Sequence, residues 1–216
     1  MVTCYDAATS KILNETSVDA LLVGDSCAMV VHGFDSTIHA TLEMMVAHTA
    51  ATRRGAPDKV IVADMPFLSF RGSVEAATQS VMQLMRAGAN GVKLERCKGN
   101  AELISRLVDA GIPVMGHLGL TPQSIHEFGG FKMQARNDLA AQTLQEEALE
   151  LEEAGCFSIV LECIPSHVAE RVTEALAIPT IGIGCGPETS GQVLVINDLL
   201  GLDSRFQPPF ARRYMD

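Results

Sequence analysis

Short apolar runs recur along the chain, and several of them end on a carboxylate. Ala20-Leu21-Leu22-Val23-Gly24 runs into Asp25, and Val60-Ile61-Val62-Ala63 runs into Asp64. Gly91-Val92-Lys93-Leu94 meets Glu95, and Ser158-Ile159-Val160-Leu161 meets Glu162. β-Branched runs of this length, separated by helical stretches, predict buried parallel strands. Eight strands are expected, around residues 2–5, 20–24, 59–63, 91–94, 113–117, 158–161, 179–183 and 193–196. Helical spacing appears between them. Leu103, Ile104, Leu107 and Val108 form one stripe, ended by Gly111. Val74, Ala77, Val81 and Leu84 form another, with Ser73 placed to cap its start and Asp138 placed to cap a long helix running to Ala154.

The layout also repeats. Residues 87–95 (AGANGVKLE) and 154–162 (AGCFSIVLE) share a helix end at Ala-Gly, a turn, and a strand closing on Glu. Residues 111–116 (GIPVMG) echo 177–182 (AIPTIG). Such units imply parallel strands joined by right-handed crossovers. Eight of them favour a closed α/β barrel, the (β/α)8 TIM barrel, over an open sheet. No Pro/Ser-rich linker divides the chain, so residues 1–216 are expected to form a single barrel domain. Two connections, 26–40 and 118–137, are too long for simple turns; each is either a loop that closes over substrate or a surface excursion. After the eighth strand only 197–202 suggests a helix. The C-terminal helices and part of the N-terminal cover are therefore expected to be short or lacking, or a partner subunit seals the barrel.

Composition narrows the function. Of 216 residues, 47% are hydrophobic and 19% charged, which marks a folded chain. A net charge of −10 without any basic run argues against nucleic acid and anionic membrane as partners. The apolar runs are too short to span a bilayer. The first residues lack a basic n-region, so no signal peptide is expected and the location is read as cytoplasmic. Six cysteines without a Cys-x-x-Cys pair predict reduced thiols rather than a zinc site or a disulfide scaffold.

In a barrel of parallel strands the carboxyl ends open on one face, where chemistry collects. Four acids there would repel one another unless a positive group sat among them. Asp25 and Asp64 at consecutive strand tips suit a divalent metal, and carboxylates without a His/Cys set favour Mg²⁺ over zinc. As separate residues, each could equally end its strand in a turn or cap. Ser26 offers a donor beside Asp25. Lys93 and Glu95 stand two apart and share a strand face. If inward, Lys93 could bind a substrate carboxylate and Glu95 could hold the metal directly or through water; if outward, the pair covers a helix. Glu162 has a role apart from the metal, as a base, or it caps a helix near Ser166. His117 in Gly116-His117-Leu118-Gly119 can donate to substrate or shuttle a proton, or is structural. Residues 182–186 (GIGCG) look like a phosphate-type loop, or simply let backbone approach a ligand.

Together, Leu22-Val23-Gly24-Asp25-Ser26, residues 50–57 (AATRRGAP), Ala63-Asp64-Met65-Pro66-Phe67, residues 86–95 (RAGANGVKLE), residues 116–124 (GHLGLTPQS), Phe128-Gly129-Gly130-Phe131, Leu161-Glu162-Cys163 and residues 174–184 (EALAIPTIGIG) resemble the ketopantoate hydroxymethyltransferase family. The likeness runs to about the eighth strand, and HLGLTPQS is its most specific part. It implies a (β/α)8 barrel assembled into a homodecamer. It implies Mg²⁺, and 5,10-methylenetetrahydrofolate as one-carbon donor to the keto acid 3-methyl-2-oxobutanoate, in pantothenate synthesis toward coenzyme A. By motif, Asp25 and Asp64 become metal ligands with Glu95 nearby, Ser26 and Lys93 hold the keto-acid carboxylate, and Glu162 accepts the proton in a Mg-assisted enolisation. The starting point at the first strand, the short tail, and the forms of residues 31–33 (VHG) and 184–187 (GCGP) depart from the family pattern. Two readings compete: a Mg-dependent carbon–carbon lyase or mutase of the phosphoenolpyruvate mutase/isocitrate lyase type, and a catalytically silent barrel.

Overall fold

The computed structural model describes residues 1–203 and 208–214. Eight parallel strands follow one another in chain order: β1 (Val2–Thr3), β2 (Ala20–Val23), β3 (Val60–Asp64), β4 (Gly91–Glu95), β5 (Val114–Gly119), β6 (Ser158–Glu162), β7 (Thr180–Ile183) and β8 (Gly191–Gln192). A parallel bridge between Val2 and Leu194 brings the ends of the sheet together, and the Thr3 N–H donates to the Leu194 carbonyl at 3.0 Å. The expected (β/α)8 barrel is the fold. Its eighth strand lies at Gly191–Gln192 rather than at 193–196, because Ile196–Leu200 turns into a helix, a shorter one than 197–202 suggested.

The helices are α1 (Ala7–Asn14), α2 (Cys27–Val30), α3 (Leu42–Gly55), α4 (Val74–Ala87), α5 (Ala101–Asp109), α6 (Ile125–Phe128), α7 (Asp138–Glu153), α8 (Ser166–Ala175) and α9 (Ile196–Leu200). Ser73 caps α4 by accepting from the Ala76 N–H, and Ala77, Val81 and Leu84 are buried on its inner side. Gly88 closes that helix at φ 111°, a conformation glycine adopts without strain. The cap of α7 is Asn137, whose side chain accepts from Ala140 N–H; Asp138 is instead the first helical residue, where its charge suits the helix dipole. Between β7 and β8 the chain crosses without a helix. Neither long connection is structureless: 26–40 holds α2 and a 3-10 turn at Thr37–His39, and 118–137 holds a 3-10 turn at Pro122–Ser124 and α6.

Strand alternation sends side chains to two cores. Outward residues such as Leu21, Ile61, Val92, Leu94, Ile159 and Leu161 pack under the helices in one large cluster. Inward residues Leu22, Val62, Met115, Val160, Ile183 and Val193 fill the lower barrel, with Met1 and Ile181 against them. Full burial of each such side chain stabilises by roughly 1.5–3 kcal/mol. Five cysteines are buried, Cys163 is half-buried, and none is disulfide-bonded. Among the described residues no helix is long and apolar enough to cross a membrane.

Candidate active site

The carboxyl ends of β2 to β6 gather the titratable residues. Asp64 is the last residue of β3 and stands in register with Lys93. Glu95 of β4 stands opposite His117 of β5, and Glu162 of β6 opposite Gly119. Asp25 and Ser26 follow β2. Because Lys93 and Glu95 alternate with the outward Val92 and Leu94, both enter the barrel; Asp25, Asp64, Lys93, Glu95 and His117 are all buried. The Glu162 side chain is 17% exposed, the most open of these charged groups.

A line of contacts joins them. The Asp25 main-chain N–H donates to Asp64 Oδ2 at 3.0 Å. Lys93 Nζ sits 3.1 Å from Asp64 Oδ1 and 3.1 Å from His117 Nδ1. His117 Nε2 lies 3.1 Å from Glu162 Oε2, and Glu95 Oε1 lies 3.6 Å from His117 Nδ1. An ammonium can only donate, so Nδ1 accepts from Lys93 and the ring proton is assigned to Nε2, the nitrogen beside Glu162.

Burial and like charge shift these groups in consistent directions. Burial, then the Asp64 charge, pushes Asp25 up to about 7. Burial, then Asp25, holds Glu95 well above the usual carboxylate range. Burial raises Glu162 to about 7, with Lys93 pulling the other way. Burial opposes the Lys93 charge, but Asp64, Glu95 and Asp25 outweigh it and keep the ammonium above its ordinary value. Burial and then Lys93 hold His117 well below its ordinary value, so the ring is neutral.

Two further residues complete the site. Gln123 Nε2 donates to Asp25 Oδ2 at 2.8 Å and to the Met65 carbonyl at 2.9 Å, while its main-chain N–H donates to Glu95 Oε2 at 3.1 Å. Tyr5, at the end of the β1 run, places its hydroxyl 2.9 Å from Ser26 Oγ. Pattern reading did not single out either as part of the site. Gln123 had a signal, its place inside HLGLTPQS. Tyr5 had none beyond standing at a strand tip. The long connection 118–137 is thus part of the site through Gln123, and it is clipped outside by a bidentate pair, Arg96 to Glu127 at 2.8 and 3.1 Å.

A divalent ion fits one part of this arrangement. Asp25 and Asp64 meet at adjacent tips, their charges oppose each other, and Asp64 Oδ1 has the Lys93 ion pair but no well-aligned hydrogen bond. Among the described residues no three His, Cys, Asp or Glu side chains close into a metal cage. Asp25 and Asp64 are two carboxylates at one place, and two carboxylates with water to spare are a donor set that Mg²⁺ accepts. Glu95 is engaged by the Gln123 main-chain N–H and faces His117.

At residues 182–186 the glycines allow close approach to the backbone: a side chain on Gly184 would come within 2.8 Å of Phe210, and one on Gly186 would strike Ser166 Oγ. The chain's own side chains fill that space. Glu162 does not cap α8, whose first turn has no side-chain cap.

The chain is similar to known proteins in sequence and in fold. The profile of the family described as ketopantoate hydroxymethyltransferase matches residues 1–216. A 3-methyl-2-oxobutanoate hydroxymethyltransferase of Francisella tularensis is 53% identical over 216 residues, covering 100% of this chain and 82% of that protein. One of Bdellovibrio bacteriovorus is 50% identical over the same shares. Among solved structures, a putative phosphonomutase from Burkholderia cenocepacia superposes with a TM-score of 0.73 at 15% identity, covering 94% of this chain and 88% of that one. A 2,3-dimethylmalate lyase of the PEP mutase/isocitrate lyase superfamily gives 0.66 at 18%, covering 100% and 85%. The structural likeness shows the fold; the sequence relatives show the kinship, and this chain belongs to the ketopantoate hydroxymethyltransferase family.

Proposed function

We propose that this hydroxymethyltransferase makes 2-dehydropantoate by moving the one-carbon unit of 5,10-methylenetetrahydrofolate onto C3 of 3-methyl-2-oxobutanoate, through Mg-assisted enolisation, with one water supplying the hydroxyl and tetrahydrofolate leaving. The observation that carries the reading is the Asp25–Asp64–Lys93–His117–Glu162 line, with an opposed pair of Asp at one end and a carboxylate raised to about 7 at the other. Asp25 and Asp64 would hold Mg²⁺, with Glu95 close by. When bound, the ion supplies Lewis-acid polarisation of the keto acid. Lys93 has three donors, of which Asp64 and His117 use two; the third, with Ser26 Oγ, holds the substrate carboxylate. This fixes C3 toward Glu162, which takes its proton. Neutral His117 presents Nε2–H beside Glu162 and lines the substrate pocket. Residues 26–40 and 118–137 limit water access. A homodecamer of single-domain barrels in the cytoplasm belongs to the same proposal.

The lyase or mutase alternative rests on fold likeness at 11–18% identity, which carries no chemistry. The deciding experiment is NMR of 3-methyl-2-oxobutanoate in D2O with protein and Mg²⁺. Loss of the C3–H signal without folate is expected; a C3–H signal that persists over many turnover times would refute the enolisation.

A further inference from the structure

Ser26 stands where a serine normally caps a helix. It opens α2, yet its backbone is helical (φ −53°, ψ −16°) and its hydroxyl accepts nothing from that helix. Serine at this position ordinarily uses its oxygen on the second or third N–H. Here the oxygen turns instead to Tyr5, at 2.9 Å. Gly24 leaves room for that orientation, since a side chain there would come within 2.7 Å of Ser26 Oγ.

Tyr5 is itself firmly seated. It is buried, and burial raises its phenol above the ordinary value, so it keeps its proton throughout the physiological range. Its carbonyl is 2.6 Å from His48 Nδ1 of α3, and the neighbouring Cys4 carbonyl accepts from Thr52 Oγ1 of the same helix at 3.3 Å. These contacts tie the end of β1 to α3, fixing the ring that meets Ser26.

In the free protein either hydroxyl can donate to the other. A carboxylate changes this, because it only accepts. A hydroxyl has one proton. For Ser26 to give its proton to a substrate carboxylate, the hydrogen bond with Tyr5 must run from the tyrosine. We infer that Tyr5 is a positioning residue for substrate binding: its hydroxyl donates to Ser26 Oγ and directs the serine proton onto the keto-acid carboxylate. The inference rests on the proposed role of Ser26, and it adds a residue from a different strand. A tyrosine donor also polarises the serine O–H, since hydrogen bonds in a chain strengthen one another.

The test is a double-mutant cycle on the full chain with Mg²⁺. It compares Tyr5→Phe, Ser26→Ala and the pair, reading 3-methyl-2-oxobutanoate Kd by calorimetry alongside KM and kcat. Tyr5→Phe is expected to raise Kd and KM by about tenfold with kcat within about twofold. Ser26→Ala should do the same, and the double variant should be no worse than Ser26→Ala alone. A normal Kd in Tyr5→Phe beside a weakened Ser26→Ala overturns the role of Tyr5 and leaves that of Ser26 standing. A normal Kd in Ser26→Ala removes the serine from the substrate site and the inference with it. Strictly additive losses, or a fall in kcat alone, also overturn it. Should Tyr5→Phe fail to fold, 3-fluorotyrosine replaces it. The chain has two tyrosines, and the other, Tyr214, is 66% exposed and can be changed to Phe. The more acidic phenol is a stronger donor and should lower Kd; an unchanged Kd overturns the proposal.

Discussion

Inside the barrel, one step along a strand separates two environments. Val62, Met115 and Val160 lie in the lower, apolar layer; Asp64, His117 and Glu162, each two residues further on, lie among charges. The step is about 6.6 Å. The lower layer needs only volume, and any well-packed apolar set stabilises it. The upper layer buries charges that cost several kcal/mol each unless paired. Its pairing is incomplete: Asp25 and Glu162 are raised to about 7. The same backbone regularity therefore builds a stabilising apolar floor and a roof of crowded, incompletely paired charges. Substitutions in the two layers should separate folding from chemistry.

The largest effect should come from the roof. Glu162→Gln is expected to slow C3 deuterium exchange by about 10²–10⁴-fold, the usual range for a positioned base, while keto-acid binding by calorimetry stays near normal. Unchanged exchange would remove Glu162 from the base role. On the floor, Leu22→Ala should cost about 2–5 kcal/mol in urea unfolding, with exchange per folded molecule retained. If it left stability intact, the lower layer would not be the packed core described.

Metal and pH sharpen the contrast. Asp25 and Glu162 have native values raised from 3.8 and 4.5 to about 7, so between those limits the folded chain holds more protons than the unfolded chain. In the metal-free protein the contribution of these groups should be full at and below about pH 4 and be lost as pH rises through about 7. Mg²⁺ should raise Tm increasingly over the same interval, and EDTA should cancel the gain. Asp25→Asn should remove one of the two contributions to the metal-free profile, leaving that of Glu162, and abolish the Mg²⁺ effect; a Tm that still responds to Mg²⁺ would move the metal elsewhere. The smallest effect belongs outside the barrel. Arg96→Ala breaks the ion pair with Glu127, whose side chain is 61% exposed, and should change stability by less than about 1 kcal/mol in the same unfolding assay.

Local pattern sufficed for the strand series, the order of the acids and the main helix stripes, because period-two and period-3.6 spacing are properties of neighbouring residues. The same spacing put Lys93 and Glu95 on one face and left the inward or outward choice to the fold, where Val92 and Leu94 take the helix side. Caps misled by one residue at Asn137, since Asn and Asp compete for the same N–H groups and adjacent positions read alike. The short β8 escaped because its pairing with β7 comes from the fold rather than from its own composition.

What neighbours along the chain could settle was the barrel and which carboxylates reach its rim. Everything that depends on residues far apart in sequence waited for the fold: Gln123 bridging Asp25 and Glu95, Tyr5 turning Ser26, Phe210 filling the space over Gly184. The cause is the range of the forces. Periodicity records which face of an element is buried, whereas a hydrogen bond between loops exists only once eight strands have closed and brought their tips within about 3 Å of one another.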